Sequence, residues 1–187
     1  MWAGNGSIFE FRSLPTNNAG FGDYGLFYET NFQEELEMIQ LHISSLTHLT
    51  KLFLKKMLEN KSGRILNVAS LIGFLPVPLF SVYAASKAYT LHFSEALANE
   101  LQGTGVSVTC LCPSPTDTLF NKRGNVENSK SAKGMMIDAA TVAEAGYKAL
   151  KRGKVTATPG LMKGKLLVIL TRIAPRNALT KIMRSAA

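Results

Sequence analysis

A strand, a long helix and a second strand follow one another between residues 64 and 112, and that order constrains the fold more than any other feature of the chain. Arg64 to Ala69 is a short, largely apolar run behind the turn Lys61-Ser62-Gly63, and Val106 to Cys112 is a β-branched run stopped by Pro113. Continuous apolar runs of this kind suit strands covered on both faces. Residues 81–102, closed by Gly103 and Gly105, read as the intervening helix. Two strands of one sheet joined by such a helix lie parallel, with a right-handed crossover. The expected class is therefore α/β, a parallel sheet with flanking helices.

The remaining chain extends the alternation. Leu36, Ile39, Ile43, Leu46, Leu49, Phe53 and Met57 recur at spacings of three and four, which predicts a long amphipathic helix over 33–59. A loop with Gly73, Pro76 and Pro78 follows the first strand. Residues 113–137 have no sustained period and read as a lid or binding loop. Asp138 can cap a helix to about Lys151, with Gly153 behind it, and Lys154 to Thr158 reads as a last strand. From Leu161 the chain is apolar and basic, broken by Pro175 into two expected helices.

Of the 187 residues, 46% are hydrophobic and 18% charged, with two cysteines, which is the composition of one globular domain and not of a disordered chain or disulfide scaffold. The longest aliphatic run of the C-terminal half, Leu166 to Leu170, is too short to span a bilayer, and the N-terminus lacks the pattern of a signal peptide, so a reducing, cytoplasmic setting is expected. The net charge of +8 belongs to the tail: residues 151–187 hold nine Lys/Arg and no Asp/Glu. The tail has neither base-stacking aromatics nor a nucleic-acid module, so no nucleic-acid partner is expected. Its apolar residues are expected to pack on the domain or on a partner subunit; contact with an anionic membrane surface or a lipid-like substrate is the alternative.

Several patterns imitate functional motifs. Gly20-Phe21-Gly22-Asp23-Tyr24-Gly25 has the glycine spacing of a dinucleotide-binding turn, but Ser13 to Asn18 makes a poor strand and the next helix begins well beyond Gly25. Cys110 and Cys112 alternate onto one face of a strand as small core residues, and His42, His48 and His92 form no metal-ligand pair, so no metal is expected. Tyr147 and Lys151 stand four apart but have Gly134 thirteen residues upstream and no strand before them.

Ser70, Tyr83 and Lys87 form the strongest chemical pattern. Tyr83 and Lys87 share one helix face, and an ammonium beside a phenol is expected to lower its pKa toward neutrality. Ser70 lies thirteen residues before Tyr83, at the carboxyl end of the buried strand, the edge at which open parallel sheets bind ligands.

With Asn17-Asn18-Ala19-Gly20, Gly63 to Ser70, Tyr83-Ala84-Ala85-Ser86-Lys87 and Pro113 to Thr118 in this order, the chain resembles the short-chain dehydrogenase/reductase family from about Asn17 to the C-terminus. The resemblance implies a Rossmann-like three-layer α/β/α fold and hydride transfer between NAD or NADP and a small alcohol or carbonyl substrate. It implies that Tyr83 exchanges a proton with the substrate oxygen, that Ser70 holds that oxygen, and that Lys87 binds the nicotinamide ribose. Asn18 and Gly20 would lie near the adenosine side of the cofactor, and Pro113, Thr116 and Thr118 near the nicotinamide. The helices at 33–59 and 81–102 are those through which the family associates, so a homo-oligomer is expected.

Three departures qualify the resemblance. Residues 1–16 look unrelated to the family, and the glycine-rich TGxxxGIG half that would grip the pyrophosphate is missing, so the chain reads as a partial domain over 17–160 followed by the tail 161–187. His42 falls where the family places a catalytic Asn that supports a proton relay from the lysine. Ser114 replaces the glycine of a Pro-Gly pair. An N-terminally truncated, cofactor-deficient homologue that is inactive or acts as an interaction or oligomerisation module is the alternative to an enzyme.

Overall fold

The computed structural model describes residues 14–118, 120, 136–160, 162–171 and 173–186. A four-stranded parallel sheet runs in the order β1 (Thr16–Asn17), β2 (Gly63–Val68), β3 (Val106–Leu111), β6 (Thr156–Ala157). Its inner pair is in register from Gly63 opposite Val106 to Val68 opposite Leu111. The intervening helix, Ser81–Glu100, is α3 in a chain order that begins with α1 (Phe32–Ile39) and α2 (Leu46–Glu59). α4 (Ala139–Lys151), α5 (Met162–Leu170) and α6 (Arg176–Ala186) follow.

Side-chain alternation along β2 generates the three layers. Ile65 packs with Met57, Leu97, Leu101, Val106 and Val108 toward α2 and α3. Leu66 packs with Leu111, Ala149, Leu150 and Ala157 toward α4 on the other face. Cys110 and Cys112, both fully buried with their Sγ atoms 3.7 Å apart, join Ala69 and Leu91 in the core under α3. Among the described residues no helix is long and apolar enough to cross a membrane.

Several details differ from the sequence reading. The poor strand before Asn18 does pair: Thr16 lies opposite Leu66 and Asn17 opposite Asn67. Pro15 contributes its carbonyl, which accepts from the Leu66 N–H at 3.1 Å, but it has no N–H to offer, so the strand starts only at Thr16. The long helix is interrupted by a π-helical turn over Gln40–Ser45, where the Ser45 hydroxyl donates back to the Gln40 carbonyl at 2.9 Å. A 3-10 turn, Leu71–Phe74, opens the loop after β2. The two ends of the 113–137 segment meet: β4 (Thr116–Asp117) pairs in parallel with β5 (Ile137–Asp138), and the Ile137 N–H donates to the Pro115 carbonyl at 3.0 Å. Residues 121–135 of that segment, with Gly134, and residues 1–13 of the N-terminal segment lie outside the described residues. Asp138 caps α4 as its sequence position implies, accepting from the Thr141 N–H at 2.8 Å.

Candidate active site

Ser70, Tyr83 and Lys87 converge where β2 ends. Ser70 caps the 3-10 turn, its Oγ accepting from the Ile72 N–H at 3.3 Å. That turn packs tightly on α3: a Cβ on Gly73 would lie 2.8 Å from the Lys87 carbonyl oxygen. Only a glycine lets the turn approach the α3 backbone this closely, and the approach carries Ser70 to the face bearing Tyr83 and Lys87. Lys87 is 6% exposed, its Nζ donates to the Val68 carbonyl at 3.0 Å, and it stands 5.6 Å from the centre of the Tyr83 ring. A cleft beside β1 is lined by Asn17, Ala19, His42, Leu46, Val68 and Lys87.

Tyr83 is buried within a cage of rings, with Phe120 at 5.4 Å, Phe80 at 5.6 Å and His42 at 5.9 Å between centres. Burial holds its phenol above the ordinary range, and the neighbouring Ser70 hydroxyl pulls the other way. This is opposite in direction to what the Tyr–Lys spacing predicts. Taking the phenolate out of water is the dominant cause, and Lys87 beside it is itself desolvated, its pKa pushed down to about 8. The pair rests as a phenol beside a weakened ammonium.

His42 has both of its ring nitrogens engaged. Its Nε2 accepts from the Phe21 N–H at 3.2 Å, and its Nδ1 lies 2.8 Å from the Ser86 hydroxyl, which in turn donates to the Tyr83 carbonyl at 2.8 Å. With Nε2 accepting, the proton is on Nδ1 and both ring nitrogens are occupied. The imidazole ties Phe21 of the 18–22 loop to Ser86 in the second turn of α3, with its ring 5.9 Å from that of Tyr83. Burial, with Lys87 nearby, drives its pKa down to about 3, so the ring is neutral. Gly20 lies against this ring, where a Cβ would stand 2.7 Å from Nε2, and Asn18 is exposed at the loop's start.

On the opposite flank, the Pro113 carbonyl accepts from the Leu71 N–H at 2.9 Å, joining the end of β3 to the serine turn. Ser114 is buried, its side chain set against Gly160 beyond β6. The Thr116 hydroxyl donates to the Ser114 carbonyl at 2.9 Å, and Thr118 is exposed, its hydroxyl accepting from the Phe120 N–H at 3.3 Å. The glycine pattern from Gly20 to Gly25 is loop, and the next helix along the chain starts only at Phe32, so these glycines do not lead directly into a helix.

Sequence reasoning missed three contributors. Ser86, on which His42 rests, is inside the Tyr83–Lys87 run but gave no signal of its own. Asn67 accepts from Asn17 Nδ2 at 2.7 Å and donates to Ser94 at 2.9 Å, pinning edge strand β1 to α3; its signal was a polar residue at the centre of an apolar strand. Leu79 takes a left-handed φ of 68°, and its carbonyl accepts from the Gly25 N–H at 3.0 Å, fixing the 21–25 loop near Tyr83.

A parallel α/β/α sheet with a serine, a tyrosine and a lysine at the carboxyl end of one strand defines a class of nucleotide-dependent oxidoreductase folds. The chain belongs to the short chain dehydrogenase family, whose model matches residues 14–129. It is similar to ketoacyl reductase HetN of Nostoc sp., 40% identical over 97 residues that make up 52% of this chain and 34% of that protein. It is also similar to estradiol 17-beta-dehydrogenase 11 of Macaca fascicularis, 30% identical over 176 residues, 92% of this chain and 56% of that one. Among solved structures it resembles a short chain dehydrogenase from Burkholderia cenocepacia in complex with NADP, with a TM-score of 0.74 at 25% identity over 91% of this chain and 68% of that one. The chain thus spans about a third to a little over half of these curated relatives.

Proposed function

We propose that this chain carries the proton-handling half of a NAD- or NADP-dependent oxidoreductase that interconverts a small carbonyl compound and its alcohol. The observation that carries this reading is the convergence of Ser70, Tyr83 and Lys87 at the end of β2, with Tyr83 held protonated. The described residues fit the nicotinamide end of such a cofactor. Lys87 is a buried ammonium with three N–H donors, of which Val68 takes one, so the others suit ribose hydroxyls. Asn18 and Gly20 would meet the adenosine side, and Pro113, Thr116 and Thr118 the carboxamide.

The bound dinucleotide would supply or accept hydride. As the carbonyl oxygen gains negative charge, the Ser70 hydroxyl donates a hydrogen bond to it and the Tyr83 phenol gives it a proton. Burial favours the protonated phenol, the form that carbonyl reduction needs at the outset. The phenolate left behind faces the Lys87 ammonium. His42, with both nitrogens engaged, acts as a positioning residue for the Tyr83 turn. The aromatic wall of Phe21, Tyr24, Phe80 and Phe120 suits an apolar carbonyl compound, and the names of the relatives, a ketoacyl reductase and an estradiol dehydrogenase, are consistent with that. Free thiols at Cys110 and Cys112 accord with a cytoplasmic setting.

Fluorescence titration with NADH and NADPH tests the reading. Saturable binding of at least one, weakened about tenfold or more by Lys87→Met, is expected for a desolvated charged contact. No binding of either at millimolar concentration would remove the enzyme reading for this chain. The second reading, an association module, is favoured by Leu36, Leu49, Leu52 and Phe53, all 41% exposed or more along α1 and α2. Self-association abolished by Leu52→Glu with Phe53→Glu, in the absence of cofactor binding, would favour it.

A further inference from the structure

The C-terminal helices turn an apolar side outward. Helical hydrogen bonding continues past α5, the Thr171 N–H donating to Leu167 at 3.0 Å and the Ala174 N–H to Leu170 at 2.9 Å. At the helical repeat, Leu166, Ile169, Leu170 and Ile173 fall in a single arc of about 100°. They are 67%, 56%, 42% and 79% exposed. The other side is the anchored one: Leu167 and Ala174, with Leu179 and Met183 of α6, pack on the cluster of Met38, Leu75, Val77, Phe80 and Tyr83. The tail therefore divides. Part of it packs on the domain as its sequence implies, and the aliphatic arc of α5 does not, although an ordinary surface helix would place charged residues there.

Charge selects the occupant. Residues 151–187 carry nine Lys/Arg and no Asp/Glu. A second copy docked tail against tail would bring two such segments together with no acidic residue on either, an arrangement that like-charge repulsion opposes. The tail from Leu161 contains no aromatic residue to stack on bases or to anchor a protein interface. An aliphatic arc beside a cationic segment is complementary to an anionic lipid surface, where acyl chains accept Leu and Ile without specific geometry and headgroups attract the cations. We propose that the exposed arc of Leu166, Ile169, Leu170 and Ile173 is a docking surface for an anionic phospholipid membrane, which the arc enters at the headgroup boundary. Such docking would hold the neighbouring Tyr83 cluster at the bilayer surface.

Co-sedimentation of the full chain with phosphatidylcholine vesicles, alone or with phosphatidylserine, tests this. Attraction summed over the tail's cations should make partitioning into vesicles of about 30% phosphatidylserine at least about tenfold stronger than into phosphatidylcholine alone, and weaken it at high salt. The triple variant Leu166→Ser, Ile169→Ser, Ile173→Ser alters exposed positions only, so it should keep the wild-type thermal midpoint and lose about tenfold or more of the binding. Lys181→Glu with Arg184→Glu, both exposed, should lose the phosphatidylserine preference. Absence of binding to anionic vesicles would overturn the proposal. So would a triple variant that binds as the wild type does, because the surface would then be a charge patch without insertion. A dimer in sedimentation equilibrium that the triple variant abolishes would assign the arc to a second copy instead.

Discussion

Acidification should destabilise this fold through one side chain. His42 is 3% exposed, with both ring nitrogens hydrogen-bonded, and its pKa falls from 6.5 to about 3 on folding. Above pH 6.5 the ring is neutral in both states and contributes no pH dependence. Between 6.5 and about 3 the unfolded chain holds a proton that the folded chain does not, so stability declines as pH falls, and below about 3 the loss is complete. One pKa unit corresponds to about 1.4 kcal/mol, so the expected loss at about pH 5 is about 2 kcal/mol. Urea unfolding of the wild type and of His42→Asn, each between about pH 7 and 5, isolates this contribution, because carboxylates titrating in the same window are common to both. The variant will differ from the wild type at neutral pH as well, and the informative quantity is the difference in slope. Equal slopes, or a His42 resonance that titrates near 6.5 in the folded protein, would refute the doubly hydrogen-bonded neutral imidazole.

Other perturbations have equally definite outcomes. Gly73→Ala forces a methyl group against the backbone of α3 and should cost about 1–3 kcal/mol by thermal or urea unfolding; a neutral result would show that the turn can withdraw from Lys87. Asn67→Ala removes the link between Asn17 and Ser94 and should cost about 1–3 kcal/mol, with faster amide exchange at Thr16 and Asn17; unchanged exchange there would mean that β1 is held by its backbone alone. Lys87 has its folded pKa lowered from 10.5 to about 8 by burial, so stability should rise as pH climbs from about 8 toward 10.5, where the unfolded chain holds the extra proton. Lys87→Met should abolish that rise, and its persistence would place the titration elsewhere.

Much of the architecture could be read from local pattern. β2, β3 and α3 are long enough for period and punctuation to declare them, and the thirteen-residue and four-residue spacings among Ser70, Tyr83 and Lys87 survive into three dimensions because each residue is placed by one of those elements. What escaped the sequence depends on partners far along the chain. Thr16 and Asn17 are polar and follow a proline, and only pairing with Leu66 and Asn67, fifty residues on, makes them a strand. The π-helical turn left the three-and-four spacing of apolar residues undisturbed; the family resemblance set His42 at the site, but its bonds to Phe21 and Ser86 rest on partners far along the chain. The sign of the Tyr83 shift was misread because spacing supplies the lysine but not the enclosing rings of Phe80 and Phe120. In the tail the apolar residues could be counted, but the side that packs is chosen by Leu75, Val77 and Phe80 of the domain.

The central claim is that Tyr83 delivers a proton from a preorganised cluster while its neighbours hold the cofactor and the substrate oxygen. The most direct measurement follows NADPH and NADH oxidation with a panel of apolar carbonyl compounds, for the wild type and for Tyr83→Phe, alongside cofactor binding. The account predicts turnover by the wild type, a loss of about two to four orders of magnitude in kcat for Tyr83→Phe, and unchanged cofactor affinity, since only the proton donor is removed. Turnover that survives Tyr83→Phe undiminished would contradict it.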